Sequence, residues 1–247
     1  LSGTVTLSNP QGSLDVGRNE AAIAEVGKAP VRLQLSNPRE RVQWVQALTA
    51  QPLRHLDGSA VPARLQNAWQ ALQRGDSTAV QAALGSNTDA WTDVLRAADH
   101  TQAGRMAPAS EALRRALRDT QAPAAAHLLR ADLQLVSGEA DVAGHTLEAG
   151  LARHPSDPDL LAMLARTQLL ADQLDQAQAT LQRPRRSDST SHWLAQGDLA
   201  RRQGAVAGTL SAFERASQAA PTDPRGWQAL GSAQGEREDL AKAQNQQ

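Results

Sequence analysis

Residues 193–231 read WLAQGDLARRQGAVAGTLSAFERASQAAPTDPRGWQALG. Trp193 and Trp227 lie 34 residues apart in this stretch, and each opens a run in which small and apolar residues recur at helical spacing. Pro221 lies between the two runs and breaks the chain there. A fixed period of this length is typical of helical hairpins that stack into a solenoid. The stretch therefore predicts a repeat array.

The same register extends toward the N-terminus. His127 and Leu161 open earlier runs 34 residues apart, but Leu161 precedes the tryptophan at position 193 by only 32 residues. This deficit falls near Pro184, where we expect the second helix of the hairpin to end early. Residues 92–120 and 62–84 have the pattern of two further, more degenerate hairpins. The sequence thus predicts about five hairpins and the first helix of a sixth.

Small residues recur at positions where helices of such a hairpin would meet. We expect Gly197, Ala165 and Gly231 to let the two helices approach closely, whereas Leu181 and Phe213 fill the groove against the next hairpin. This pattern resembles the tetratricopeptide repeat (TPR) family. The resemblance implies a mainly α fold, a TPR-type helical-hairpin solenoid preceded here by a small β module. It also implies that the first helices of the hairpins line a concave face that binds a protein partner.

The same resemblance selects candidate partner-binding residues on the concave face. They are Trp91, Val94, Leu128, Asp132, Arg166, Leu194, Asp198, Arg201, Arg202, Arg225 and Gln228. The C-terminal half of this set is rich in arginine, which binds carboxylates, phosphates and acidic glycans through paired hydrogen bonds. The chain has only two lysines, so arginine carries nearly all of its positive charge, and a solvated helix face explains any single arginine equally well.

A comparison with TPR clamps argues against one kind of partner. Chaperone-tail-binding clamps carry lysine and asparagine at groove positions that hold Val94, Leu128, Ala162 and Leu194 in this sequence. The resemblance therefore disfavours a cytosolic chaperone adaptor.

The first 36 residues have a different pattern. Short, mostly alternating segments at 4–7, 13–16, 22–26 and 31–35 are separated by Asn, Gly and Pro, which predicts a β module of about four strands over residues 1–36. Such a module buries little apolar surface alone, so we expect it either to dock on the helices or to be the tail of a larger β domain, and we favour the second. The chain begins at Leu1 without a signal-like segment, which we interpret as a piece of something longer.

A helix signal follows the β module. Asn37 suits the N-cap, Pro38 the first helical position, and Glu40 completes a capping box, so we predict a connector helix over residues 37–57 and the solenoid over 58–247. Trp44 is either a stacking platform for a ligand or a buried anchor between the modules, and we favour the anchor.

Several short motifs in this region resemble the closing half of a FecR-type β domain. They are residues 3–6 (GTVT), 12–17 (GSLDVG), 22–24 (AIA) and 27–30 (GKAP). Residues 37–44 (NPRERVQW) resemble the connector at which such a domain runs into TPR repeats in bacterial envelope proteins. The resemblance implies an address in the bacterial periplasm or the outer-membrane-associated envelope, and it carries over no catalytic residue.

Composition excludes several other classes of function. A net charge of −1 and a pI near 6.7 give no general attraction for nucleic acid or an anionic membrane. The chain has no cysteine and no apolar run near the roughly 18 to 20 residues that span a bilayer, so we predict no direct membrane insertion of this chain. The basic cluster 183–186 lacks interleaved aromatics and is interpreted as an inter-repeat loop.

The sequence also lacks motifs for catalysis. Its six histidines include no pair at metal-binding spacing, and neither a Gly-x-Ser-x-Gly elbow nor a phosphate-cradling loop occurs. We therefore predict no enzyme, no metal site and no cofactor.

Three hypotheses for function remain, in this order. The first is a protein-interaction scaffold of the cell envelope, and the second is a TPR component of exopolysaccharide or protein export across the outer membrane. A glycan groove would need exposed aromatics, for which only Trp91 is a candidate. The third is FecR-like signal reception. Self-association through the uncapped C-terminal repeat is compatible with all three.

Overall fold

The computed structural model describes residues 5–16, 21–23, 29–33 and 50–244. The chain divides into two compact units, residues 1–49 and residues 50–247. The predicted helix start at Asn37 and the Trp44 side chain lie outside the described residues.

The first unit contains short antiparallel strands. β1 (Val5–Asn9) pairs with β2 (Gly12–Val16), and β3 (Ala21–Ile23) pairs with β4 (Val31–Leu33). The β1–β2 turn is held by the Asn9 side chain, which accepts the backbone N–H groups of Gln11 at 3.0 Å and Gly12 at 3.1 Å. An asparagine at this place stabilises a tight turn. The prediction of a small β module ahead of the helices is confirmed.

The described part of the second unit contains eleven α-helices, preceded by two short 3-10 helices at Pro52–His55 and Ala63–Leu65. The α-helices are α1 (Gln66–Gln73), α2 (Ser77–Leu84), α3 (Ala90–Gln102), α4 (Met106–Ala116), α5 (Ala124–Val136), α6 (Ala140–Arg153), α7 (Pro158–Leu170), α8 (Leu174–Gln182), α9 (Thr190–Arg202), α10 (Val206–Ala219) and α11 (Pro224–Gln244). Consecutive helices from α1 to α10 pack as five hairpins, and α11 packs on the last of them. The predicted mainly α solenoid is confirmed.

The turn inside each hairpin uses a left-handed residue. Five residues have φ between 58° and 79° just before the second helix: Gly75, Gly104, Gly138, Asp172 and Gly204. Glycine adopts this conformation without a steric penalty and ends a helix. The residue 34 positions after Gly204 is Glu238, and α11 continues through it as one helix to Gln244.

The fourth hairpin has the short second helix that its sequence predicts. α8 has 9 residues, whereas α6 and α10 have 14 each. It ends at Gln182 because Arg183, which precedes Pro184, is extended, with φ −60° and ψ 146°.

The core lies between helices, and its tightest contacts occur at small residues. A Cβ atom on Gly197 would overlap the Phe213 ring, so glycine permits that helix pair to approach. Ala165, the second residue predicted to lie where two helices approach, is fully buried. The prediction for Gly231 is wrong, because nothing lies within 4 Å of the place where its Cβ would be. No second helix packs on that side of α11 in the described part of the chain.

Among the described helices, none combines the length and the apolar character that a membrane span requires.

Candidate partner-binding face

The predicted binding residues all lie on the first helices of the hairpins or at the start of α11. Trp91 and Val94 are in α3, Leu128 and Asp132 in α5, and Arg166 in α7. The remaining residues are in α9 and α11: Leu194, Asp198, Arg201, Arg202, Arg225 and Gln228. Because α3, α5, α7, α9 and α11 contact one another in sequence, they form one continuous surface, here named the first-helix face.

Three of the predicted residues are not available to a partner. Val94 has no exposed surface, Leu128 is 3% exposed and Leu194 is 8% exposed. Each packs in an apolar cluster between hairpins, so its role is to hold the array together. Trp91 is half-buried and rests on the same cluster as Val94. These three aliphatic side chains are therefore removed from the candidate face.

Ion pairs connect the exposed charged residues of successive first helices. Arg166 Nε lies 3.1 Å from Asp198 Oδ2, which joins α7 to α9. Arg201 Nε lies 3.4 Å from Glu236 Oε2, which joins α9 to α11. We name Arg166, Asp198, Arg201 and Glu236 the charge ladder. Their side chains are 31–57% exposed, and pairs of this kind contribute little to folding stability.

Arg201 has hydrogen-bonding capacity that the protein does not use. Its guanidinium carbon lies 5.1 Å from the centre of the Phe213 ring. Its Nε and Nη2 atoms are shielded from solvent and have no hydrogen-bond partner, since the Glu236 carboxylate is within ion-pair distance but not in hydrogen-bond alignment. Arg201 also lines an open cleft of about 260 Å³ between α10 and α11, together with Leu210 and Ala233. The guanidinium therefore has two donor atoms that no group of the described chain accepts.

The other arginines of the prediction are engaged locally. Arg202 Nη1 lies 3.5 Å from Asp172 Oδ1 in the turn of the preceding hairpin. Arg225 donates from Nη2 to Asp223 Oδ2 at 2.7 Å and from Nε to Asp223 Oδ1 at 3.1 Å. Burial of Asp223 disfavours its charge, but these hydrogen bonds outweigh burial and hold the pKa of Asp223 below its ordinary value. Gln228 is exposed on the next turn of α11.

Asp132 is bound by the chain itself. Its Oδ2 atom accepts the Gln51 backbone N–H at 3.2 Å and lies 3.4 Å from His55 Nε2. The 3-10 helix Pro52–His55 packs against α3 and α5. Sequence reasoning did not find this contact, nor the pairing roles of Glu236 and Asp172.

Two buried histidines belong to the core rather than to a reactive site. His127 is 4% exposed and His192 is 1% exposed. Burial lowers the pKa of each from 6.5 to about 4, so both are neutral at pH 7. Across the described ranges, no group of three or more His, Asp or Glu side chains is placed to hold a metal ion.

Comparisons with known proteins agree with this architecture. Residues 134–196 match the family model of the tetratricopeptide repeat. A comparison with curated protein sequences finds no match. The helical part of the chain therefore has the fold of a TPR-type helical-hairpin solenoid.

Three solved structures have a similar fold. The thermophilic TPR protein TTC0263 of Thermus thermophilus has a TM-score of 0.57 at 17% identity, covering 69% of this chain and 96% of that chain. A TPR protein of Parabacteroides merdae ATCC 43184 has a TM-score of 0.55 at 13% identity, covering 79% and 80%. PilW, a widely conserved type IV pilus biogenesis factor, has a TM-score of 0.53 at 18% identity, covering 78% and 89%. At these identities the likeness concerns the fold.

Proposed function

We propose that this chain is a non-enzymatic protein-interaction scaffold of the bacterial cell envelope, and that it binds a protein partner through the first-helix face. The observation that carries the proposal is the charge ladder. It places charged side chains that are 31–57% exposed on three successive first helices, α7, α9 and α11. A solenoid of this fold presents an extended surface rather than an enclosed pocket.

The ladder favours a partner surface that carries acidic and basic side chains side by side. Separating an exposed ion pair costs at most about 1 kcal/mol, so a partner can exchange its own charges for those of Arg166 and Asp198 at little cost. Arg201 adds shielded donors without a hydrogen-bond partner, which suit a carboxylate. Such complementarity selects the partner and accelerates its association more than it raises affinity.

Two observations support a location in the bacterial cell envelope. The motifs at residues 12–17 and 27–30 resemble a FecR-type β domain. PilW, a type IV pilus biogenesis factor, shares the fold of the helical part. FecR-like signal reception and a role in exopolysaccharide or protein export are the alternatives within the same address.

A pull-down with charge-reversed chains tests the proposal. The full chain carrying Arg166→Glu and Arg201→Glu is compared with the parent as bait in bacterial envelope extract. The control reverses two exposed arginines at a second helix, Arg114 on α4 and Arg118 just after its end, and gives the same change in net charge.

We expect the parent and the α4 control to recover the same protein, and the ladder variant to lose it. Loss by both variants alike would indicate attraction to net charge instead of the first-helix face. Recovery of an acidic polysaccharide alone would favour the export alternative, and recovery of the bait alone would contradict the scaffold.

A further inference from the structure

We propose that the segment 51–56 is a built-in ligand of the first-helix face, and that it must leave before a partner's polypeptide segment of similar chemistry binds to α3 and α5. This inference rests on the proposed function, because it concerns how the same face is regulated and what kind of segment fits it. The face at α7, α9 and α11 stays open while the segment is bound.

The segment lies on the same helices that carry the predicted binding residues. Its 3-10 helix, Pro52–His55, packs against α3 and α5. Pro52 is buried, Leu56 is 7% exposed and belongs to the apolar cluster, and Leu53 packs against that cluster. The segment therefore occupies the N-terminal half of the first-helix face.

The polar contacts of the segment converge on one carboxylate. Asp132 accepts the Gln51 backbone N–H at 3.2 Å and lies 3.4 Å from His55 Nε2. Among residues 50–244, these are the direct hydrogen-bond and ion-pair contacts between the segment and the first helices. The segment's other backbone bonds are internal, from Arg54 N–H to Gln51 O and from Leu56 N–H to Leu53 O.

Arg54 is the exposed residue of the segment, and charges from several first helices act on it. Although the residue is exposed as a whole, burial of part of its side chain lowers its pKa, and the charges of Arg225 and Arg166 lower it further. Asp132 and Asp223 act in the opposite direction. Charges from α5, α7 and the start of α11 therefore act on one side chain of the segment.

The way in which the segment is held makes it displaceable. A single turn of 3-10 helix has poor hydrogen-bond geometry and little stability of its own. Farther along the chain, Val61 and Leu65 are each 3% exposed and anchor the path into α1 independently. The segment can thus open while the hairpins remain folded.

The contacts also define what replaces it. The incoming chain needs a backbone N–H and a basic side chain for Asp132, with apolar side chains four residues apart in the places of Pro52 and Leu56. A short polypeptide segment with a basic residue between apolar residues, able to form a similar turn, fits these requirements.

Amide hydrogen exchange of the full chain tests whether the segment opens by itself. We expect amides of residues 53–56 to exchange at least tenfold faster than those of α3, and Asp132→Asn to accelerate them at least a further tenfold without changing α3. Asp175→Asn, an exposed carboxylate on α8, is the matched control and should change neither. Exchange of the segment only at the rate of α3 would overturn the proposal, because the segment would then be a fixed part of the core.

A peptide-binding assay tests whether a separate peptide can occupy the site of the segment 51–56 on α3 and α5. The probe is a fluorescein-labelled peptide of residues 50–58, and the receptor is the full chain with Pro52, Leu53, Arg54 and His55 each changed to Ser. We expect the probe to bind this receptor at least tenfold more tightly than it binds the parent, and Asp132→Asn to remove the gain. Equal affinity for parent and receptor would overturn the proposal.

The two experiments separate this inference from the proposed function. If the Ser-substituted chain does not fold, the exchange measurement on the parent and on Asp132→Asn decides the question alone. The peptide assay uses no cellular partner, so binding of the peptide together with a failed pull-down would refute the scaffold while supporting the occupied face. A successful pull-down together with slow exchange at residues 53–56 would support the scaffold and refute the inference that the segment can leave the face.

Discussion

Acid should destabilise this solenoid through its two buried histidines, and the size of the effect can be worked out for each. Burial lowers the pKa of His192 from 6.5 to about 4. The folded state therefore holds this histidine neutral, so its contribution to stability is complete above pH 6.5 and is lost as the pH falls from 6.5 toward 4. At 1.36 kcal/mol per pKa unit the full loss is about 3 kcal/mol, of which about 2 kcal/mol is lost by pH 5. His127 has the same pKa shift.

The perturbation is His192→Leu, which replaces the ring by an apolar side chain of similar size. The free energy of unfolding is measured by urea titration with circular dichroism at pH 7.5 and at pH 5. For the parent, we expect the two buried histidines together to remove about 4 kcal/mol between these pH values. The variant should lose about 2 kcal/mol less than the parent, and its stability at pH 7.5 should differ by less than about 1.5 kcal/mol.

The control is His145→Gln, because His145 is exposed on α6. It should leave the pH dependence of stability unchanged. If His192→Leu loses as much stability between pH 7.5 and pH 5 as the parent does, then burial of His192 is not a source of acid sensitivity and the reasoning is refuted.

Four further substitutions test the packing, a buried ion pair and the charge ladder. Gly197→Ala should lower the free energy of unfolding by about 1–3 kcal/mol, because the new methyl group meets the packed Phe213 ring. Gly231→Ala should be neutral or stabilising by up to about 1 kcal/mol. Thermal and urea unfolding of the two variants measures both changes in stability. Asp93→Ala should lower the free energy of unfolding by about 3 kcal/mol in the same urea assay. The reason is that the fully buried Asp93 carboxylate accepts hydrogen bonds from Arg115 at 2.8 Å and 3.1 Å. A loss below about 1 kcal/mol would show that the Asp93–Arg115 ion pair does not stabilise the fold. Arg166→Ala should change stability by less than about 1 kcal/mol yet weaken recovery of the partner in the pull-down, and unchanged recovery would remove Arg166 from the binding face.

The architecture was predictable because it depends on local periodicity. The step from His127 to Leu161 fixes the hairpins in register, and glycines such as Gly138 and Gly204 end first helices by adopting positive φ. The same rule explains why α11 continues. Glu238 occupies the position at which the next glycine would fall, and the helix does not end there.

The candidate site was only partly predictable. Register places Val94 and Leu128 on the first-helix side of their hairpins, but the packing of neighbouring hairpins decides that both are buried. Ion pairs of the charge ladder, such as Arg166 with Asp198, form because the two side chains are long enough to meet between neighbouring helices. The repeat period does not predict such contacts. The contact between Asp132 and the segment 51–56 joins residues far apart in sequence, with no repeated signal that could reveal it.

The most direct test of the binding face is site-specific photo-crosslinking in bacterial cells. A photoreactive residue is placed at Gln228 on the first-helix face or at Gln176, a matched exposed glutamine on α8, a second helix. If the first-helix face binds the partner, position 228 gives a covalent adduct with a single protein and position 176 gives none. Equal adducts from both positions, or an adduct from position 176 alone, would contradict it.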